Sequence, residues 1–333
     1  MASRSEAARK CFPPSAIARL MARYLVTGAD GFIGSRLALE LLDEGRDVVA
    51  TLLNESSRYE PVPAEHAVHL DVTDALATYR LLTERRPDVI YHLAAQSNPV
   101  VSWQRPAETL RINALGTVHL LEAVRAAGVP ARVFLACSSA EYGFGTVPGR
   151  LITEDDRLLP VHPYGLSKVA QDFLGLEYFR TYGLATIRGR IFNTIGPRKV
   201  ADAPSDFARQ VVAVEAGRQP SVRVGNLDAI RDFSDVRDMI RMIRSITEHG
   251  RPGEVYNLCT GRATVVRDLL NDFVAHAKRP VRIEHDPARN RPSDEPWIVG
   301  DNRRLREAID WAPTTPLTET TQQILDYWRQ AGG

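Results

Sequence analysis

Three clusters of side chains in this sequence have the types and spacing that chemistry needs. The first is T-G-A-D-G-F-I-G, where Gly28, Gly31 and Gly34 follow the apolar stretch Tyr24–Thr27 at G-x-x-G-x-x-G spacing. Glycine is needed where a chain turns sharply and its backbone must approach a pyrophosphate. The helix that follows supplies N–H donors and a positive dipole end. The second cluster is Tyr164-Gly-Leu-Ser-Lys168. At i and i+4 of a helix, both side chains share one face. A free phenol, with pKa about 10, moves protons poorly at neutral pH. A neighbouring ammonium, with the positive ring of a nicotinamide, favours the phenolate and brings it into working range, and Lys168 also reaches the nicotinamide ribose. The third cluster is C-S-S-A-E-Y-G, 137–143, at the end of the apolar run Val133–Ala136. Its hydroxyls, carboxylate and phenol crowd a strand end, the place where open α/β sheets bind ligands.

These clusters need a scaffold that brings them together, and strands alternating with helices supply it. YLVTG is a strand, and FIGSRLALELLDEG is a helix closing on Gly45. DVVATLL and VHLDV are the second and third strands, and a helix over Asp74–Glu84 leads to a fourth, DVIYHLAA. A helix through Asn113 to Ala127 precedes RVFLAC, another begins near Tyr164, and ATIRGRIFN is a sixth strand. The pattern predicts βαβ units in a Rossmann-like, doubly wound parallel sheet, with a smaller C-terminal substrate-binding domain. The expected dinucleotide-binding domain is 22–197 plus 230–258, and the substrate-binding domain is 198–229 plus 259–330.

Composition narrows the class. At 333 residues the chain exceeds the usual size of one core. It is 44% hydrophobic and 25% charged, as soluble enzymes are. A net charge of +1 gives no basic face for nucleic acid. Cys11, Cys137 and Cys259 are odd in number and widely spaced, which suggests neither a disulfide framework nor a metal site and fits the reducing cytoplasm. No apolar run approaches the roughly 18 residues of a membrane span. Residues 1–21, with four basic residues, one acid and a Pro-Pro break, are expected to be a disordered extension.

The second strand ends Thr51-Leu52-Leu53-Asn54, without the acid that usually bonds the ribose of NAD. A 2′-phosphate therefore meets nothing repulsive in the sequence, and Arg36 or Arg58 is available to neutralise it. NADP(H) is the expected cofactor and NAD(H) the alternative. Asp71 and Val72, after the third strand, are placed for the adenine amine and ring edge.

From Tyr24 to Trp328 the chain resembles the extended short-chain dehydrogenase/reductases. The likeness is carried by TGADGFIG, LDVTD, YHLAAQS, RINALGT, SSAEYG, YGLSK and FNTIGPR. VGNLDAIRDFSDVRD and RNRPSDEP are similar to the nucleotide-sugar enzymes acting on GDP-mannose derivatives: GDP-4-keto-6-deoxy-mannose reductases first, GDP-mannose 4,6-dehydratases next. The resemblance implies that Ser138 bonds the sugar's C4 oxygen beside Tyr164, making Ser138, Tyr164 and Lys168 the catalytic set. It implies that Phe32, Ile33, Leu93, Ala94, Ala95 and Asn113 join the glycines at the cofactor. Ser97, Ser139, Asn193 and Asn226 face the substrate. Arg231 and Arg291 grip the diphosphate and nucleotide ribose, and Asp294 accepts from ribose hydroxyls. In sugar 4,6-dehydratases the position of Ala140 carries the glutamate that removes the C5 proton. Alanine cannot, and Glu141 on an extended segment points to the other face. The implied activity is NADP-dependent reduction of the C4 ketone of a nucleotide-linked 4-keto-6-deoxyhexose, by a homodimer joined through a four-helix bundle. The alternatives are a 4-epimerase or 4,6-dehydratase with tightly held NAD(P), and a dinucleotide-sensing regulator.

Overall fold

The computed structural model describes residues 22–54, 61–289 and 295–332. The expected extension 1–21 lies outside them. Seven parallel strands form one sheet: β1 (Arg23–Thr27), β2 (Asp47–Leu52), β3 (Ala67–His69), β4 (Val89–His92), β5 (Arg132–Ser138), β6 (Ala185–Ile191) and β7 (Val255–Leu258). Their spatial order is 3-2-1-4-5-6-7. The order reverses between β1 and β4, which is where doubly wound sheets open a ligand crevice. The strands are short runs rich in Val, Ile and Leu, as expected for a sheet covered on both faces.

Helices α1 (Phe32–Asp43), α2 (Ala75–Arg85), α3 (Gly116–Ala126), α4 (Pro163–Tyr182), α5 (Ala203–Glu215), α6 (Val236–His249), α7 (Val266–Ala275) and α8 (Leu317–Gln330) complete the main elements. One face of the sheet packs on α1 and α6 through Leu37, Leu41, Met239, Ile243 and Ile246. The i, i+4, i+7 spacing of the α6 residues makes that stripe. The other face packs on α2, α3 and α4 through Leu82, Leu120, Leu121 and Tyr178. A separate apolar cluster, with Phe207, Val211, Leu270, Phe273 and Ile324, joins α5, α7 and α8 into a smaller lobe.

Three details differ from the sequence reading. The third strand stops at His69, so Asp71 and Val72 lie beyond its end. The sixth breaks at Phe192, and Asn193–Ile195 pairs instead with Phe233–Asp235. Within 230–258, Val255–Leu258 joins the sheet beside β6, while Ile230–Arg231 pairs with Thr264–Val265 and Trp297–Ile298.

Helix α4 turns ordinary amphipathicity around. Its buried stripe is polar, with Ser167, Lys168, Gln171 and Asp172, while Leu166 and Phe173 are exposed. A polar stripe against a sheet must be fully hydrogen-bonded to be tolerated, and its partners prove to be the site.

Candidate active site

A cavity of about 1640 Å³ opens at the carboxyl ends of the strands. That exceeds the roughly 300–1,000 Å³ of a single-ligand pocket, so two ligands have room. It starts at the glycine turn, where Gly28 has φ +70° and α1 begins. A Cβ on Gly34 would lie 2.2 Å from the Gly28 carbonyl oxygen, so only glycine lets helix and strand meet this closely. Gly31, the N-cap of α1, offers no side-chain cap, and the first turn carries no acid. That helix end suits an anion, and the turn fits the pyrophosphate of a dinucleotide. Phe32, Ile33, Asp71, Val72, Leu93, Ala94 and Ala95 line the same cavity.

Ser138 ends β5, and Tyr164 is the second residue of α4. His162 caps that helix, accepting from the Gly165 amide at 2.9 Å. The helix N-terminus presses on the turn after β5: a Cβ at Gly165 would lie 2.5 Å from the Ala140 carbonyl oxygen. This closeness sets the Tyr164 phenol beside Ser138 in the cavity wall. Burial pushes the phenol up to about 12, although the Ser138 hydroxyl pulls the other way. In the chain by itself the phenol is therefore protonated at neutral pH.

Lys168 is buried, and its Nζ donates to the Ala136 carbonyl at 2.8 Å and to Gln171 Oε1 at 2.7 Å. Burial lowers it to about 8. Its ammonium lies 5.9 Å from the centre of the Tyr164 ring. Gln171 donates in turn to Thr117 at 3.1 Å. Thr117 meets His92 Nε2 at 3.1 Å, and His92 Nδ1 meets Thr27 at 2.9 Å. Burial, helped by the nearby Lys168 charge, lowers His92 to about 3 and keeps it neutral. This polar chain links Lys168 to Thr27, the residue just before the glycine turn. Isolated Thr, His and Gln in strand and helix patterns gave no signal of it.

Glu141 required a correction in reason. Residues Ser139–Glu141 form a 3₁₀ turn and not an extended segment. Glu141 is fully buried beneath the site, where its Oε1 accepts the Ser138 amide at 2.8 Å and Arg190 lies 3.3 Å from its Oε2. Asp172 shares this pocket and is hydrogen-bonded by Arg188 and Arg190. Burial and the Asp172 charge raise Glu141 well above the ordinary carboxylate range. Tyr142 is also buried, donating to Asn257 at 2.6 Å. Both close the turn, while Ser138, Ser139 and Ala140 face the cavity.

Asn113 is a second correction. Expected at the cofactor, it is fully buried outside the cavity lining, on the π-turn Arg111–Leu115 that leads into α3. Its side chain accepts from the Gln96 amide at 2.8 Å, and donates to the Gln96 carbonyl at 3.0 Å and Ser167 at 2.8 Å. It fastens the loop after β4 to α4.

Ser97, Asn193, Asn226 and Arg231, the residues expected at a substrate, also line the cavity. Asn193 donates to the Asp232 carbonyl at 3.3 Å. Lys199, Arg209, Arg223 and Arg289 line it too, and sequence reading missed all four. Arg58, Arg291 and Asp294 lie outside the described residues. Arg36 bonds Glu40 at 3.2 Å on the exposed side of α1 and lies outside the lining. The end of β2 is not free of acid: Asp30, from the glycine turn, accepts there from the amides of Leu53 and Asn54.

Among the described residues, no helix is long and apolar enough to cross a membrane. Residues 25–324 match the family described as GDP-mannose 4,6 dehydratase. The GDP-6-deoxy-D-mannose reductase of Pseudomonas aeruginosa is 32% identical over 310 residues, 92% of this chain and 97% of that protein. The structure of RMD from Pseudomonas aeruginosa complexed with NADPH is 30% identical with a TM-score of 0.81, covering 93% of this chain and 100% of that one. The UDP-glucose 4-epimerase of Thermus thermophilus in complex with NAD is 27% identical with a TM-score of 0.83, covering 93% and 99%. Glycine turn, Ser–Tyr–Lys seam and sequence agree, and this chain belongs to the GDP-mannose 4,6 dehydratase family, among the NAD(P)-dependent enzymes of the extended short-chain dehydrogenase/reductase type.

Proposed function

We propose that this protein reduces the C4 ketone of a nucleotide-linked 4-keto-6-deoxyhexose, with a GDP-sugar favoured. The observation that carries this reading is the pairing of a protonated phenol with an alanine. Tyr164 holds its proton beside Ser138, while Ala140 occupies the cavity wall and Glu141 is turned into the core. A phenol in that state can deliver a proton, and the wall at position 140 has no group to remove one from C5.

When bound, the dinucleotide supplies the hydride. Ser138 and Tyr164 together bond the C4 oxygen and polarise the ketone. Tyr164 gives its proton to that oxygen as negative charge develops there. Lys168, fixed by Ala136 and Gln171, stabilises the phenolate left behind. Arg231, with the cations around it, pairs the diphosphate, a task suited to the planar two-pronged guanidinium. We assign the dinucleotide to 22–197 with 236–258, and the nucleotide sugar to 198–235 with 259–330, the boundary moving past 230 because Ile230–Arg231 pairs with strands of the smaller lobe. Of the grounds for NADP(H), the NADPH in the RMD complex supports the choice, whereas Asp30 at the β2 end does not. We also assign a homodimer in the cytoplasm. The exposed Leu166 and Phe173 of α4, with Trp103 and Leu110 on helices packed against it, suit a partner copy.

The test supplies GDP-4-keto-6-deoxy-mannose with reduced dinucleotide. The expected outcome is a 4-hydroxy product with one equivalent of nicotinamide absorbance lost per turnover, and no keto-deoxy sugar from GDP-mannose alone. Conversion of GDP-mannose without net oxidation of the dinucleotide overturns the reading. The likeness to a UDP-glucose 4-epimerase favours a second reading, 4-epimerisation, which is recognised by C4 inversion with no dinucleotide consumed.

A further inference from the structure

We infer that Asp30 selects the unphosphorylated dinucleotide, making this chain prefer NADH to NADPH. The inference rests on the reading of the glycine turn as a dinucleotide site. In a doubly wound fold, the first strand–helix turn takes the pyrophosphate and the end of the second strand takes the adenosine ribose. The acid that bonds the ribose normally grows from that second strand. Here the strand runs out as Leu53-Asn54, and the acid reaches across from the turn.

Its geometry is fixed. Asp30 Oδ2 accepts from the Leu53 amide at 3.3 Å, the Asn54 amide at 3.1 Å and Asn54 Nδ2 at 3.1 Å. Three donors on one oxygen hold the carboxylate flat against the strand end. Asp30, Leu53 and Asn54 all line the cavity, as do Gly28, Gly31 and Asp71. A carboxylate held there accepts well from ribose hydroxyls. A 2′-phosphate in the same place adds up to two negative charges beside it, and like charges a few ångströms apart in a partly desolvated crevice repel strongly. Arg36, a candidate for neutralising that phosphate, is exposed on α1, outside the cavity lining and paired with Glu40.

The experiment is a fluorescence titration of the full chain with NADH and NADPH, without sugar, for wild type, Asp30→Ser and Asp30→Asn. Wild type should bind NADH at least about tenfold more tightly, a modest demand for one charged contact. Both variants should bind NADPH about tenfold better than wild type, and the serine variant should lose affinity for NADH. Asp30→Asn keeps an oxygen for the strand-end amides, so it reads the charge alone if the serine variant folds poorly. Tighter wild-type binding of NADPH, or an NADH-to-NADPH ratio unmoved by either variant, overturns the inference. So does an NADPH preference abolished by Arg58→Ala but untouched at Asp30, which returns the choice to the arginine. If wild type binds neither dinucleotide, the dinucleotide reading itself falls, an outcome distinct from the rest.

Discussion

The two ends of the cavity are built from opposite materials. At the β1–α1 end the chain presents backbone and small side chains: Gly28, Gly34, Ala94 and Ala95. Away from that turn it presents the long cations Arg209, Arg223, Arg231 and Arg289, drawn from separate stretches of sequence, while Lys199 reaches back to within 5.6 Å of the Phe32 ring. A backbone-built site works only with glycine at fixed spacing, so it leaves a pattern in the chain. A site built from arginine tips tolerates almost any spacing, because the fold and not the sequence brings the tips together. The Ser138–Tyr164 seam between them combines both characters, with side chains set by one tight helix–turn contact.

The largest effect should come at the seam. Tyr164→Phe should lower kcat by roughly 10²-fold or more, the usual worth of a placed proton donor, while dinucleotide affinity measured by titration stays within twofold or so. Near-normal turnover would remove the phenol from the mechanism. Next comes the backbone end. Gly34→Ala forces a methyl group against the Gly28 carbonyl, and overpacking of this kind costs about 1–3 kcal/mol. Dinucleotide Kd should rise roughly tenfold or more, with KM for the nucleotide sugar far less affected. An alanine variant that binds normally would break the contrast between the ends.

The cation-lined end should respond more mildly. Arg231→Ala should raise KM for the nucleotide sugar about tenfold and leave dinucleotide affinity unchanged, because one of several cations is lost. A change in dinucleotide affinity instead would mean the two ends are not separate. The smallest effect is a pH response. Lys168 is lowered to about 8, so kcat/KM should decline severalfold as pH rises through that value and the ammonium is lost. Lys168→Arg, which stays charged, should remove that decline whatever its absolute rate. Stability runs the other way. The unfolded lysine, with pKa about 10.4, binds the proton that the folded one has released, so stability from this group rises from pH 8 towards 10.4.

Much of the scaffold was legible because period and punctuation are local. Strand runs, the Asp74 cap and the glycine turn each carry their signal within a few residues. The Tyr164–Lys168 pair was readable for the same reason, its members being four apart on one helix. Three things were not. Glu141 sat in a stretch that looked extended, and its bond to the Ser138 amide, together with the Ala140 amide on the Ser138 hydroxyl, curls it into a turn. Asn113 belongs to a motif near the cofactor, yet its hydrogen bonds are spent on Gln96 and Ser167. Asp30 belongs to the glycine turn, and its reach to Leu53 and Asn54 depends on how β1 and β2 lie side by side. Each is a contact between segments, and contacts between segments leave no period in a chain.

Strand β7 carries a consequence for how the protein is made. It covers the outer edge of β6, and the chain reaches it only after α5, the 222–235 strands and α6 have been produced. A ribosome that has delivered residue 250 has released a six-stranded sheet whose last edge is bare. Bare edges pair readily with other chains. Premature stops between 192 and 254 should therefore yield aggregates and not a soluble half-enzyme, and gene fusions that exchange the smaller lobe must carry Val255–Leu258 with the sheet.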